Sequence, residues 1–81
     1  MPKANEKQVL EIIQRALILE DKKVSLDTSV EDLEEWDSVG HLSILSNMDK
    51  FFDGKIAPIR EMATADSVRK ILKILKENSL I

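Results

Sequence analysis

Apolar residues return at intervals of three and four in three parts of this chain and lose that rhythm between them. The first set is Val9, Ile12, Ile13, Ala16 and Leu17, one stripe of a helix. Asn5, a residue type that favours caps, precedes it. The pattern predicts a helix opening at Asn5 and running to about Leu19, with Glu6, Glu11 and Arg15 on its other faces and an i,i+4 attraction between Glu11 and Arg15. The second set is Val39, Leu42, Leu45, Met48 and Phe52, which predicts a helix from about Ser38 to Phe52 with these residues on one face. Asp53-Gly54 stops it, with Gly54 as a left-handed cap. The third set is Val68, Ile71, Leu72 and Leu75. Thr64 or Asp66 caps that last helix, Ile74 falls off its buried stripe, and Asn78-Ser79 ends it.

The stretches between carry their own signals. Residues 20–37 form a long connector, with Glu20, Asp21, Asp27, Glu31, Asp32, Glu34, Glu35 and Asp37 against only Lys22 and Lys23. A loop of this length in a small domain is either functional or disordered. Here Val24, Leu26, Val30, Leu33 and Trp36 are spaced anchors that tie it down, Asp27-Thr28-Ser29 reads as a turn, and Ser29 to Leu33 as one short helical turn. The acidic side chains themselves read as a solvated surface. Lys55 to Ile59 is expected to be extended, because Pro58 disfavours helix at Ala57. Arg60-Glu61-Met62 reads as one turn of helix. No segment alternates as a strand does. The expected fold is therefore all-α, a small bundle of three main helices plus one short one, in a single domain spanning residues 1–81.

Composition narrows what such a bundle can do. Eighty-one residues bury roughly 63% of their extended-chain surface, so the core is thin and a deep substrate cavity is not expected. The net charge is −3, which provides no basic face for nucleic acid. There is no cysteine, so disulfides and thiolate metal sites are excluded and any thiol chemistry must come from an attached group. The N-terminus has no apolar signal core and no stretch approaches the length of a membrane span, so a cytoplasmic monomer is expected.

Candidate chemistry is sparse. Asp49 to Arg60 superficially has the length of a calcium loop, but Phe51 and Arg60 stand where oxygen ligands are required. His41 is the only histidine, and with no Cys beside it zinc is not expected. A Ser38–His41 dyad has the right i,i+3 spacing but no evident orienting partner and no pocket, so no catalytic residue is assigned. Gly40 reads as a small residue in a first turn. What remains is Asp37-Ser38 at the mouth of the second helix, and two readings of it. Ser38 is an N-cap, or Asp37 caps alone and Ser38 offers a free hydroxyl. In the second case the positive helix end favours a phosphate ester there, while Asp37 opposes it as a like charge and turns it toward solvent.

Trp36-Asp37-Ser38-Val39, followed by His41-Leu42 and an amphipathic helix ending in Phe51-Phe52-Asp53, resembles the acyl carrier proteins that depend on phosphopantetheine. The likeness extends over nearly the whole chain in length, long first loop and helix order. The tripeptide alone is weak, because Asp66-Ser67-Val68 repeats it; only Asp37-Ser38 follows the long acidic loop, as the family's attachment serine does. The resemblance implies that Ser38 carries a covalent 4′-phosphopantetheine arm within an Asp37-Ser38 motif, installed from coenzyme A by a phosphopantetheinyl transferase, normally with magnesium. The arm's thiol would hold an acyl or aminoacyl thioester for activating and transferring enzymes, and the protein would be no enzyme. Val39 is the natural apolar contact for those partners, and Ile59 and Met62 would flank the arm. The segment after Ser38, with Gly40, His41, Ser43, Ser46, Asn47, Asp49 and Lys50, departs from the strongly acidic second helix of fatty-acid carriers. It also lacks the Gly-Gly-His-Ser style motif of many peptidyl carriers. Both departures direct the expectation to a stand-alone carrier in a specialised biosynthetic pathway. The alternative is a small helical interaction domain in which Ser38 is only a cap.

Overall fold

The computed structural model describes residues 4–20 and 23–81. Asp21 and Lys22 of the acidic connector lie outside the described residues, as do the first three positions. The chain forms three α-helices, α1 (Glu6–Ala16), α2 (Ser38–Phe51) and α3 (Val68–Glu77), with short 3-10 segments at Val30–Asp32 and Arg60–Thr64. It is an all-α bundle of 33 × 23 × 20 Å.

Each helix begins on a side-chain cap. Asn5 and Gln8 form a capping box at α1, the Asn5 carboxamide oxygen accepting the Gln8 amide at 2.9 Å and the Gln8 oxygen accepting the Asn5 amide at 3.0 Å. Asp37 caps α2. Ser67 caps α3, in place of the expected Thr64 or Asp66. The three helices also end alike. In each, a left-handed residue follows the last turn and the next amide reaches back to a carbonyl five residues earlier, closing the helix. These residues are Ile18 (φ 53°), Asp53 (φ 57°) and Ser79 (φ 59°). The returning bonds are Leu19 to Gln14 (3.2 Å), Gly54 to Asp49 (2.7 Å) and Leu80 to Leu75 (2.9 Å). At α2 the left-handed cap is thus Asp53, with Gly54 also left-handed behind it (φ 80°). At α1 this closure comes three residues before the expected end at Leu19. Leu17 and Leu19 are both buried, and successive odd positions on a continued helix would point them about 200° apart. The turn at Ile18 brings both into the core and leaves Ile18 outside.

The buried face of α2 matches the expected stripe in its second half, at Met48 and Phe52, and departs from it in the first. Ile44 and Met48 are fully buried, with Phe52 beside them and His41 and Leu45 half-covered. Val39 and Leu42 stand 75% and 65% exposed. Both sets have helical spacing, so periodicity alone leaves two faces open. The neighbours decide: α2 lies between α1 and the Arg60–Thr64 segment, and the face bearing Ile44 and Met48 meets them. On α3 the buried stripe of Val68, Ile71, Leu72 and Leu75 is the expected one, with Ile74 half-exposed. α3 packs on the same two elements, so α1 and the Arg60–Thr64 segment each bridge α2 and α3.

The connector is tied down as its anchors predict. Val24, Leu33 and Trp36 are buried and Val30 half-buried, while Leu26 is 41% exposed and anchors little. A backbone bridge joins it to the entrance of α3: Val30 donates to the Asp66 carbonyl at 3.0 Å and Val68 to that of Thr28 at 2.9 Å. Among the acids of the run, Asp32 has a local partner and Asp27 a distant one. Asp32 accepts the Ser29 amide at 2.9 Å, and Asp27 pairs with Arg69. The expected extended stretch at Lys55–Ile59 is instead folded into a turn, closed by Ile59 donating to Ile56 at 2.9 Å. Asp49 stabilises it by accepting the amides of Ile56 (3.1 Å) and Ala57 (2.9 Å) on one oxygen. Ion pairs among the described residues join Arg69–Asp27, Lys70–Asp66 and Lys76–Glu6; Glu11–Arg15 is not one of them. No described helix is long and apolar enough to cross a membrane.

Candidate functional site at the mouth of the second helix

The tripeptide Asp-Ser-Val occurs at the start of two helices, in two registers. At α2 Asp37 is the cap: its Oδ1 accepts the Gly40 amide at 2.8 Å and its carbonyl accepts the His41 amide at 2.8 Å. Ser38 is then the first helical residue, exposed, with no hydrogen bond from its side chain among the described residues. At α3 the roles are exchanged. Ser67 caps, its Oγ accepting the Lys70 amide at 3.2 Å, and Asp66 sits outside the helix, paired with Lys70 at 3.0 Å. The backbone bridge explains the difference. Val30 and Thr28 hold residues 66–68 extended, with Ser67 at φ −153°, so α3 cannot start before Val68. Nothing comparable grips Ser38, and α2 begins one residue earlier in the motif.

Three contacts fix the approach to Ser38. Trp36 is 3% exposed, and its Nε1–H donates to His41 Nδ1 at 3.0 Å, with the two rings nearly parallel. His41 Nε2 lies 2.7 Å from the Met62 carbonyl oxygen. An indole nitrogen only donates and a carbonyl only accepts, so His41 is the neutral Nε2–H tautomer. Ser43 Oγ donates to the Ala16 carbonyl at 3.0 Å, docking α2 on the end of α1. Gly40 allows the close approach: a Cβ there would collide with the Glu35 carbonyl oxygen and sit 2.8 Å from Leu17 Cδ2. Its smallness therefore serves the chain's own packing.

Beside Ser38 runs an open groove of about 510 Å³, floored by Trp36, His41 and Leu42 and walled by Val30 and by Ala63 to Asp66. On its rim, the Lys70 ammonium holds the Asp66 carboxyl below its ordinary value, through a hydrogen bond and through charge. Of the residues expected to meet an attached group or a partner, Ser38 and Val39 are open, Ile59 is half-buried and Met62 is 1% exposed. The Met62 side chain is enclosed in the core, because the 3-10 segment that carries it is the bridge between α2 and α3. Its backbone carbonyl is what the site uses. The Ser38–His41 dyad is not assembled, since both ring nitrogens of His41 are engaged elsewhere. No group of three metal-ligating side chains gathers among the described residues. Sequence reasoning missed two features. Leu42 is an exposed apolar neighbour of Ser38, visible only once Ile44 and Met48 are known to take the inner face. The Trp36–His41 link was signalled by two residue types with a polar edge placed across a cap, the sole Trp and the sole His of the chain.

Comparison of the chain with models of protein families, with curated proteins and with solved structures found no match. The functional reading rests on the geometry above.

Proposed function

We propose that this protein is an acyl or aminoacyl carrier whose cargo hangs, as a thioester, from a 4′-phosphopantetheine arm on Ser38. One observation carries the reading: Asp37, and not Ser38, caps α2, so the chain presents a serine hydroxyl that its own fold does not use. The arm's requirements fit what stands there. The oxygen is exposed, and the first amides of α2 have no carbonyl within the helix, a setting that favours an anionic ester. When bound, the arm would supply the thiol that the cysteine-free chain lacks. Asp37 holds the helix start, and Gly40 lets the connector close behind it.

Val39 and Leu42 give partner enzymes an apolar patch beside the serine, with Lys50 and Ser46 further along the exposed face. This weakly charged face suits partners other than those of general fatty-acid synthesis, and a specialised pathway in the cytoplasm fits it best. The same exposed pair also favours the second reading, a helical interaction domain, although Asp37 has removed the capping role that this reading gave Ser38.

The experiment is intact mass after incubation with coenzyme A, magnesium and a broad-specificity phosphopantetheinyl transferase. The expected result is a gain of one phosphopantetheinyl group, lost in Ser38→Ala and kept in Ser67→Ala. No gain with several such transferases overturns the carrier and leaves the interaction domain.

A further inference from the structure

We infer that His41 is a protonation-sensitive latch that fixes the connector in front of Ser38 near neutral pH and releases it in mild acid. The latch itself stands on hydrogen-bond geometry; its consequence for Ser38 rests on the carrier reading.

The imidazole joins two parts of the chain that are distant in sequence. Nδ1 accepts from Trp36, the last anchor of the connector, and Nε2 donates to Met62 on the Arg60–Thr64 segment. Only one of the ring's three protonation states satisfies both contacts. Adding a proton to Nδ1 sets two N–H groups head to head across 3.0 Å, and the Trp36 bond must open. The Met62 bond survives, because Nε2 donates in either state. Acid therefore cuts the tether to the connector and spares the tether to the core. Trp36 is followed directly by Asp37 and Ser38, which stay on α2 through the Asp37 cap while the connector that approaches them is let go.

The direction follows from proton counting. The closed latch holds one proton on the ring and the open latch can hold two, so closure is favoured as pH rises through the range in which histidines change charge. Asp37 and Asp66 line the groove that His41 floors, and Arg60 and Glu61 belong to the 3-10 segment whose Met62 carbonyl it meets. Asp66 already has Lys70 as a partner.

The chain has one tryptophan and one histidine, so each reports without ambiguity. The test follows the Trp36 indole N–H and the His41 ring nitrogens by NMR of the whole 15N-labelled protein between about pH 8 and pH 5. The expected result is a single Nε2–H tautomer at the alkaline end and an indole resonance that moves from its hydrogen-bonded to its free position on acidification. In His41→Gln, whose carboxamide offers one acceptor and one donor and does not titrate, the indole resonance stays put. If that variant does not fold, Trp36→Phe serves: the ring keeps its place and loses its donor, the Met62 carbonyl still holds the Nε2–H tautomer, and the His41 Nδ1 resonance moves to that of a ring nitrogen with no donor. Mixed tautomers in the wild type, an indole indifferent to pH, or the same movement in His41→Gln overturns the latch; the last result would assign the change to a carboxylate such as Asp37. For the consequence, the rate of arm attachment to wild type relative to His41→Gln falls at the acid end if the latch presents Ser38, and an unchanged ratio overturns that role. No attachment at any pH sinks the carrier reading and leaves the latch to be judged by the spectra.

Discussion

Gly40 shows how one missing methyl group shapes the site. In a helix interior Gly→Ala ordinarily gains about 1 kcal/mol. Here the added Cβ meets a backbone carbonyl, that of Glu35, which has no rotamer to retreat into. Overpacking of this kind costs about 1–3 kcal/mol, and a backbone obstacle belongs at the upper end, so Gly40→Ala is expected to destabilise by about 2 kcal/mol in urea unfolding. The same variant should displace Trp36 and disturb its fluorescence, because the obstacle lies one residue before it. Asp66 offers a second residue-level prediction. Lys70 lowers its pKa from the ordinary 3.8 by hydrogen bonding and by charge. A lowered folded-state value means a contribution to stability that is complete above the ordinary value and is lost as pH falls through the folded one. The pair is solvent-exposed, so the measurable effect is the titration itself: in Lys70→Gln the Asp66 carboxyl resonance should return to ordinary carboxylate behaviour.

At the scale of elements, the two Asp-Ser-Val motifs make a controlled comparison. Loss of a cap costs about 1 kcal/mol. Asp37→Ala and Ser67→Ala should each lose about that much in thermal or urea unfolding, whereas Ser38→Ala should stay within about 0.5 kcal/mol of wild type. If Ser38→Ala is as costly as Ser67→Ala, the hydroxyl is a cap after all and the site loses its defining feature. The elements were largely legible in the sequence, for reasons that differ from one to the next. α3 has one apolar stripe, with only Ile74 off it, so spacing named its buried face in full. α2 has two apolar sets at helical spacing, and no local rule chooses between them. Cap identity was legible only to within a residue or two. Asp and Ser are both good caps, and the choice at α3 was made by a backbone bridge to residues 28–30, far away in the chain.

For the whole molecule, the radius of gyration of 11.5 Å matches the roughly 11.7 Å expected of a compact chain of this length. Total stability for such a domain is of order 4–12 kcal/mol. Met48 lies fully buried in the middle of α2, where that helix meets its neighbours. Met48→Ala is expected to cost about 2–5 kcal/mol, a large part of the whole, measured as a fall in the urea midpoint. Val39→Ala and Leu42→Ala, on the opposite face of the same helix, should change stability by less than about 0.5 kcal/mol, which would separate the packing face from the face left for partners.

The sequence by itself determined the all-α class, the three helices, the anchored connector and the placement of Asp37-Ser38 at a helix mouth, because periodicity and capping act over a few neighbouring residues. Only the tertiary structure decided which face of α2 is buried, why Gly40 must be small, how the Trp36–His41–Met62 link is made, and which member of each Asp-Ser pair caps. Those choices depend on contacts between segments remote along the chain, and residue spacing carries no record of what will be brought to lie alongside.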